Sequence, residues 1–279
     1  MKAKFLVTGG AGFIGSNIVA ELARRGEQVR VLDDLSTGRM ENLKDCIGSI
    51  EYIDGDIRDI RTVREAVAGC DYVLHQAALP SVPRSVEDPL TSNSVNIDGS
   101  LNVLDCARHE KVKKVVFASS SSVYGDSEEL PKHEEMTPNP LSPYAVTKLT
   151  LEHYLRVYWR VYGLPTVSLR YFNIFGPRQD PNSDYSAVIP KFIKSLSTGE
   201  KPIVYGDGLQ SRDFTYVSHA VEANITAATN LSIVGQEYNV ASGGQWTVND
   251  LLDKLREILK VTTEAEYQDA RPGDIKHSY

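Results

Sequence analysis

Along the first part of the chain, short apolar runs rich in β-branched residues alternate with longer stretches in which apolar positions recur every third or fourth residue. The short runs predict strands over Lys4–Thr8, Gln28–Asp33, Ile50–Asp54, Tyr72–His75, Lys114–Ser119 and Thr166–Arg170. Between the first two, Ile14, Ile18, Val19 and Leu22 share one helical face, and Gly26 is placed to end that helix. The same spacing predicts helices over Asp59–Ala68, Pro89–His109 and Pro143–Tyr162. Strands and helices in alternation are the pattern of an α/β chain with a doubly wound parallel sheet.

Beyond Arg170 the elements shorten, and loops such as GPRQDPNSDYS are rich in Gly, Pro, Asn and Asp. Helices are expected over Val188–Ser197, His219–Asn230 and Val248–Leu259, with strands over Ile203–Tyr205 and Glu237–Val240. This change of rhythm divides the chain into a sheet domain, residues 1–170, and a smaller α/β lobe, residues 171–279, interleaved with it and covering the C-terminal edge of the sheet.

Composition narrows the function classes. With 279 residues, 41% of them hydrophobic, the chain can bury a large core. A formal net charge of −7 leaves no basic footprint for nucleic acid or an anionic membrane. No apolar run approaches the roughly 18–20 residues that span a bilayer, and the N-terminal apolar stretch is too short for a secretory h-region. Cys46, Cys70 and Cys106 are scattered and form no CxxC, which points to core thiols in a reducing cytoplasm. None of the 6 histidines falls in metal-ligand spacing, so no metal is expected.

The stretch VTGGAGFIGS sets Gly9, Gly12 and Gly15 between a predicted strand and a predicted helix. Glycines there allow a sharp turn and close approach to a pyrophosphate, which the helix N-terminus stabilises; this is the dinucleotide turn of a Rossmann sheet. Asp33, at the end of the second strand, is placed to accept ribose hydroxyls and to repel a 2′-phosphate. With Asp34 following it, this favours NAD over NADP. After the third strand, Asp56 is a candidate acceptor for the adenine amino group and Ile57 for packing on the ring, while an N-cap role for Asp56 or Asp59 fits equally well. His75, ending the fourth strand, is expected to be a structural histidine.

In SPYAVTK, Ser142 and Pro143 fit the N-cap and first position of a helix, which sets Tyr144 in its first turn and Lys148 one turn on, on the same face. An ammonium near a phenol, together with a positively charged nicotinamide ring, favours phenolate and would draw Tyr144 from about 10 toward neutrality as a general base. The hydroxyls of ASSSSVYG, directly after the fifth strand, lie where doubly wound sheets bind ligands, and one of them can hydrogen-bond the alcohol that Tyr144 deprotonates.

The TGxxGxxG turn, Asp33, SSSxVYG and Tyr144-xxx-Lys148 resemble the extended short-chain dehydrogenase/reductases. The stretches DDLSTGRMENL, SVPRSVEDP, LSPYAVTK, LRYFNIFGPRQDPNSDYSAVIP, GDGLQSRDFTYV and RPGD resemble, within them, the NAD-dependent UDP-hexose 4-epimerases, above all those that accept UDP-N-acetylglucosamine. The resemblance covers essentially the whole chain. It implies Ser120 as the hydroxyl partner with Ser121 as helper, Tyr144 as base, and Lys148 lowering the tyrosine pKa and holding the nicotinamide ribose. It places the cofactor on Gly9, Gly12, Phe13, Ile14, Gly15, Asp33, Asp34, Ser36, Thr37, Gly38, Asp56, Ile57, Gln76, Ala77, Ala78, Asn96, Tyr144, Lys148 and Tyr171. For the UDP-sugar it implies Ser81, Val82, Ser120, Tyr144, Asn173, Ala187, Val188, Tyr205 against uracil, Arg212 and Arg271 on the phosphates, and Asp274 on the uridine ribose.

Sister enzymes that dehydrate or decarboxylate after oxidising the same carbon carry acids beside the active hydroxyl residue; here those positions are Ser121 and Ser122, which have no useful acidity. The resemblance therefore implies C4 epimerisation of a UDP-hexose with tightly bound NAD. A nucleotide-sugar dehydratase or decarboxylase, and a non-catalytic NAD-binding sensor, stay open as alternatives. Ser278, four after Asp274, takes the place of the residue that gates the sugar pocket, and its small size implies that UDP-GlcNAc and UDP-GalNAc are accepted beside UDP-Glc and UDP-Gal. Family members usually continue about a helix beyond this point, so the resemblance implies a longer chain. It also implies a homodimer joined through apolar residues of 93–109 and 149–162.

Overall fold

A computed structural model describes residues 2–181, 187–270 and 275–279. Within the first part of the chain lie β1 (Lys4–Thr8), α1 (Phe13–Arg24), β2 (Gln28–Asp33), β3 (Ile50–Asp54), α2 (Ile60–Val67), β4 (Tyr72–His75), α3 (Val82–Glu87), α4 (Pro89–Asn93), α5 (Ser100–His109), β5 (Lys114–Ser120), α6 (Pro143–Tyr162) and β6 (Thr166–Tyr171). There follow β7 (Ile174–Phe175), α7 (Val188–Thr198), β8 (Ile203–Tyr205), β9 (Ser211–Arg212), β10 (Thr215–Tyr216), α8 (Val217–Thr229), β11 (Gln236–Val240), β12 (Trp246–Thr247), α9 (Val248–Leu259), β13 (Glu266–Gln268) and β14 (His277–Ser278).

Seven strands form one parallel sheet in the order β3-β2-β1-β4-β5-β6-β11. The winding reverses between β1 and β4, which opens a crevice at their C-terminal ends. Period-two alternation divides the core between the two faces. Phe5 and Val7 of β1 pack with Ile18, Val19 and Leu22 of α1 and with Val221 and Ile225 of α8. Leu6, between them, packs on the opposite face with α2, α5 and α6, through Val63, Leu104 and Leu155. Burying both faces explains why these strands read as continuous apolar runs.

The chain beyond Tyr171 does not stay in one lobe: α8 packs on the large sheet and β11 extends it beside β6. A separate core of Phe192, Leu196, Val204, Val248, Leu252 and Leu255 joins α7, β8 and α9. Short ladders β7–β10, β12–β9–β14 and β8–β13 complete that part.

The predicted helix 89–109 differs in one respect. Between α4 and α5 the backbone makes a π-helical turn, Ser94–Gly99. Its middle is tied sideways: Asn96 Oδ1 accepts from Leu79 N at 2.8 Å, and its Nδ2 donates to Leu79 O at 3.3 Å and Thr147 Oγ1 at 3.1 Å. A π turn adds one residue per turn and is common at functional sites; here it delivers the Asn96 side chain to the loop after β4.

Candidate active site

The glycine turn leaves β1 and enters α1. Gly9 has φ +66°, and a Cβ there would lie 2.7 Å from Ala77 N; a Cβ on Gly15 would lie 2.1 Å from the Gly9 carbonyl. No larger residue fits either position without moving the turn. Gly12 is the N-cap of α1 and supplies no side-chain cap, so the first-turn N–H groups around Phe13 and Ile14 are disposed toward an anion. Asp33 ends β2 with its carboxylate buried: Oδ2 accepts from Ala11 N and Oδ1 from Leu35 N, both at 2.9 Å. Burial pushes this carboxyl above the usual range despite those two bonds. Gly38 lies against it, for a Cβ there would fall 2.7 Å from Asp33 Oδ1. Asp34 Oδ1 accepts from Ser36 N at 3.0 Å and Ser36 Oγ at 2.6 Å, which sets the turn through Ser36 and Thr37.

After β3, Asp56 pairs with Arg58 Nε at 2.8 Å, while Asp59 is the N-cap of α2, accepting from Arg61 N. The capping role therefore falls to Asp59. Ile57 is buried against Gly99. His75 is structural: its ring nitrogens meet Thr8 Oγ1 at 2.6 Å and Ser100 Oγ at 2.7 Å, and burial pushes it down to about 3, so it stays neutral. Gln76 joins Tyr171 to Asn224, accepting from Tyr171 Oη at 3.1 Å and donating to Asn224 Oδ1 at 2.9 Å. Ala77 N and Gln76 N both bond to Thr8, which holds the segment toward Ala78 close to the glycine turn.

Ser142 caps α6 by accepting from Ala145 N at 3.2 Å, and Tyr144 N donates to the buried Ser85 Oγ of α3 at 3.0 Å. This fixes the first turn of α6 from outside the helix. The Tyr144 phenol is near enough to the Ser120 side chain for the hydroxyl to ease its ionisation. Ser120 ends β5, in register with Tyr171 of β6, and its Oγ also accepts from Ser122 N at 3.2 Å. Lys148 is buried, donates to Ala118 O at 2.7 Å, and sits 4.8 Å from the Phe117 ring centre and 5.6 Å from that of Tyr144. Thus β5 and α6 bring Ser120, Tyr144 and Lys148 together. In the protein alone, without the nicotinamide charge that the expectation includes, burial dominates the electrostatics of this group. Burial pushes Tyr144 up to about 12, against the Ser120 hydroxyl, and pushes Lys148 down to about 7, against the pull of Glu152. Desolvation dominates here, and added positive charge is one means of bringing the phenol toward neutrality.

Around this group, Ser81 after β4 is the N-cap of α3, which begins at Val82, and in the C-terminal part Ala187 precedes α7, which begins at Val188. Asn173 Nδ2 donates to Asp213 O at 3.1 Å, Tyr205 ends β8, and Arg212 on β9 stands in register with Ser278 on β14. Arg271 and Asp274 lie outside the described residues. Among the described residues no cluster of His, Cys, Asp and Glu could hold a metal ion.

With this geometry in place, the comparisons with known proteins decide the family. The model described as "NAD dependent epimerase/dehydratase family" matches residues 5–241. The chain belongs to that family. Over 277 residues it is 38% identical to the UDP-glucose 4-epimerase of Mycolicibacterium smegmatis, covering 98% of this chain and 88% of that protein. Over 263 residues it is 38% identical to the UDP-N-acetyl-alpha-D-glucosaminuronate decarboxylase of Bacillus cytotoxicus, covering 92% and 81%. Among solved structures, the UDP-N-acetylglucosamine 4-epimerase from Methanobrevibacter ruminantium, in complex with UDP-N-acetylmuramic acid, superposes with TM-score 0.95 at 46% identity, covering 100% of this chain and 89% of that one. NAD is accordingly the cofactor, and the glycine turn, the uncapped α1 N-terminus and Asp33 fit it.

The site of this epimerase/dehydratase family member also contains residues that sequence reasoning passed over. Glu152, one turn beyond Lys148, pairs with Arg170 of β6 through Nε at 2.9 Å and Nη2 at 2.7 Å, and accepts from Ser119 Oγ at 2.5 Å. Arg170 Nη1 continues to Tyr124 Oη at 2.9 Å, and Tyr124 to Asn239 Oδ1 at 2.7 Å. Two signals were available: the i, i+4 spacing from Lys148, and a charged residue inside the otherwise apolar run TVSLRY. Asp213 was also missed. It is fully buried and takes hydrogen bonds from Ser242 N, Gly243 N and Gly244 N as well as Thr215 Oγ1.

Proposed function

We propose that this protein interconverts UDP-hexoses by epimerisation at C4 of the sugar, acting on UDP-Glc and UDP-Gal and on UDP-GlcNAc and UDP-GalNAc. The observation that carries this reading is that the end of β5 and the first turns of α6 bring Ser120, Tyr144 and the buried Lys148 together, with Ser121 and Ser122 following where the family resemblance implies acids in dehydrating and decarboxylating members.

Held by the glycine turn, Asp33 and Lys148, NAD would supply a hydride acceptor and donor for C4. Tyr144 takes the C4 hydroxyl proton as C4 is oxidised, while Ser120 donates to the same oxygen and orients it. The positive charge that comes with the oxidised nicotinamide ring supplies what the buried phenol lacks in order to ionise. The 4-keto sugar turns about its phosphate linkage and presents its other face, and Tyr144 returns the proton to the new hydroxyl. Neither Ser121 nor Ser122 can expel water or assist loss of carbon dioxide, so the reaction stops at inversion. Arg212 and Arg271 pair the diphosphate, Asn173 and Asp274 hold its flanks, and Tyr205 offers uracil a stacking face. Ser81, Val82, Ala187 and Val188 line the approach from α3 and α7.

A homodimer through α6 is part of the proposal, because Tyr154, Val157, Val161 and Tyr162 leave an exposed apolar face on that helix. Among the described residues no helix is long and apolar enough to cross a membrane, in keeping with the cytoplasmic setting expected from the sequence. The test is to incubate the purified protein with UDP-GlcNAc, without added cofactor, and follow the anomeric signals by NMR. Formation of UDP-GalNAc is expected; a 4-keto-6-deoxy product, or no turnover, overturns the reading.

A further inference from the structure

Lys148 is packed among groups that leave its charge to be decided by one neighbour. The titratable groups around it are Tyr144 and Glu152 on its own helix and His75 on β4, with Arg170 on β6 and Tyr124 beyond Glu152. His75 is neutral and Tyr144 is a phenol, so neither offsets an ammonium. The carbonyl of Ala118 and the Phe117 ring give it only dipolar partners. Glu152 is the exception. It is 1% exposed, faces the same side of α6 as Lys148, and is gripped by Arg170 through two parallel hydrogen bonds. The Ser119 hydroxyl, next in the chain to Ser120 and one residue from the Ala118 carbonyl, is tied to the same carboxylate.

We infer that the buried Glu152–Arg170 pair is a positioning unit for Ser120, Tyr144 and Lys148, in which Glu152 sets its negative charge one helical turn from Lys148 and its bond to Ser119 holds the end of β5 against α6. In fold terms the pair joins three elements at the site: β5 through Ser119, α6 through Glu152 and β6 through Arg170. A charged pair in the core is not there for stability alone, since well-packed apolar residues commonly replace such pairs without loss. Its value here lies in the sign of the charge nearest Lys148. Desolvation works to discharge the lysine, and Glu152 works against it. The effect on turnover rests on the epimerase reading; the effect on the charge of Lys148 does not.

The experiment measures the lysine directly, by NMR titration of the holoprotein carrying isotope-labelled lysine, with the Lys148 signal assigned by its loss in Lys148→Met. In Glu152→Gln the nearest negative charge is gone and Arg170 remains, so the Lys148 midpoint falls by about one pH unit or more. Because that variant leaves a buried cation unpaired, the double variant Glu152→Gln with Arg170→Met is measured too; having lost both charges, its midpoint lies between those of Glu152→Gln and wild type. The turnover of Glu152→Gln at neutral pH falls and is partly rescued by lowering the pH, which a packing defect would not produce. Coincident midpoints in all three proteins overturn the inference. If the midpoints move as stated but the wild type converts no UDP-hexose, the epimerase reading fails and the role of Glu152 stands.

Discussion

The ammonium of Lys148 sits over the ring of Tyr144, 5.6 Å from its centre, with both side chains on α6. The lysine therefore meets the π-surface of the tyrosine. A cation over the ring is attracted to the neutral phenol as well as to the phenolate, which is why burial, and not the lysine, sets the proton affinity of this side chain in the protein alone.

It follows that Tyr144 ionises only with help. In the protein without nucleotide the phenol should titrate near 12, and saturation with NAD should bring its ionisation down. Near-ultraviolet phenolate absorbance, taken as the difference from Tyr144→Phe, reads both. The same Tyr144→Phe variant should retain UDP binding and lose about a hundredfold or more in turnover. Equal phenolate titrations with and without NAD would contradict the argument.

Asp213 holds the loop behind the candidate phosphate arginine. Its carboxylate accepts from Ser242 N at 3.0 Å, Gly243 N at 2.7 Å and Gly244 N at 3.0 Å, and its own carbonyl accepts from Asn173 Nδ2 at 3.1 Å. Asp213→Ala leaves those backbone donors without their acceptor, at a cost of about 1–3 kcal/mol each where they stay dry. Because Ser242 and Gly243 are exposed and can turn to water, the unfolding free energy should fall by about 1–3 kcal/mol in all, and calorimetric UDP affinity should drop because Arg212 is the adjacent residue. An unchanged unfolding free energy would show that the loop finds other partners.

How far these relationships could be read in advance depends on their range along the chain. The bounds of β1 to β4 are those the sequence predicts, since short runs rich in Val, Ile, Leu, Phe and Tyr between polar or glycine-containing turns leave a clear local mark. The π turn at Ser94–Gly99 leaves none, because one additional residue per turn hardly alters helical spacing. Strands as short as Ser211–Arg212 and His277–Ser278 have no period at all and are defined by pairing, with each other and, for the first, with Trp246–Thr247. The grouping of Ser120, Tyr144 and Lys148 was legible because one helix carries two of them and a strand end the third. Glu152 with Arg170, and Asp213 with Gly243, join residues 18 and 30 positions apart, and only the folded chain brings each pair together.

His75 should govern part of the acid stability. In the folded protein it stays neutral down to about 3, from an ordinary value of 6.5, because burial between Thr8 and Ser100 disfavours its charged form. The unfolded chain takes up that proton near the ordinary value. Stability is therefore fully present above pH 6.5 and is lost as pH falls toward 3, at up to about 1.4 kcal/mol per pH unit. His75→Gln should be less stable at neutral pH, having lost a hydroxyl contact, yet show a flatter decline through that window. Parallel pH dependences of unfolding free energy in the two proteins would rule the assignment out.

Ser278 offers the sharpest test of sugar choice. Its strand is fixed to β9 on both sides of Arg212: Ser211 N donates to Lys276 O at 2.9 Å, and Asp213 N donates to Ser278 O at 3.0 Å. A larger side chain at 278 cannot be relieved by moving the backbone without breaking that ladder, so its volume must enter the space beside Arg212. In Ser278→Tyr we expect UDP-GlcNAc turnover to fall about tenfold or more, the scale on which a pocket rejects a group it can no longer hold. UDP-Glc turnover should change by less. If the N-acetylated substrate survives unchanged while UDP-Glc suffers, position 278 is not the gate. If both fall together, the tyrosine has displaced Arg212 and the loss should appear in KM rather than in kcat, because the diphosphate is held alike in the ground state and in the transition state.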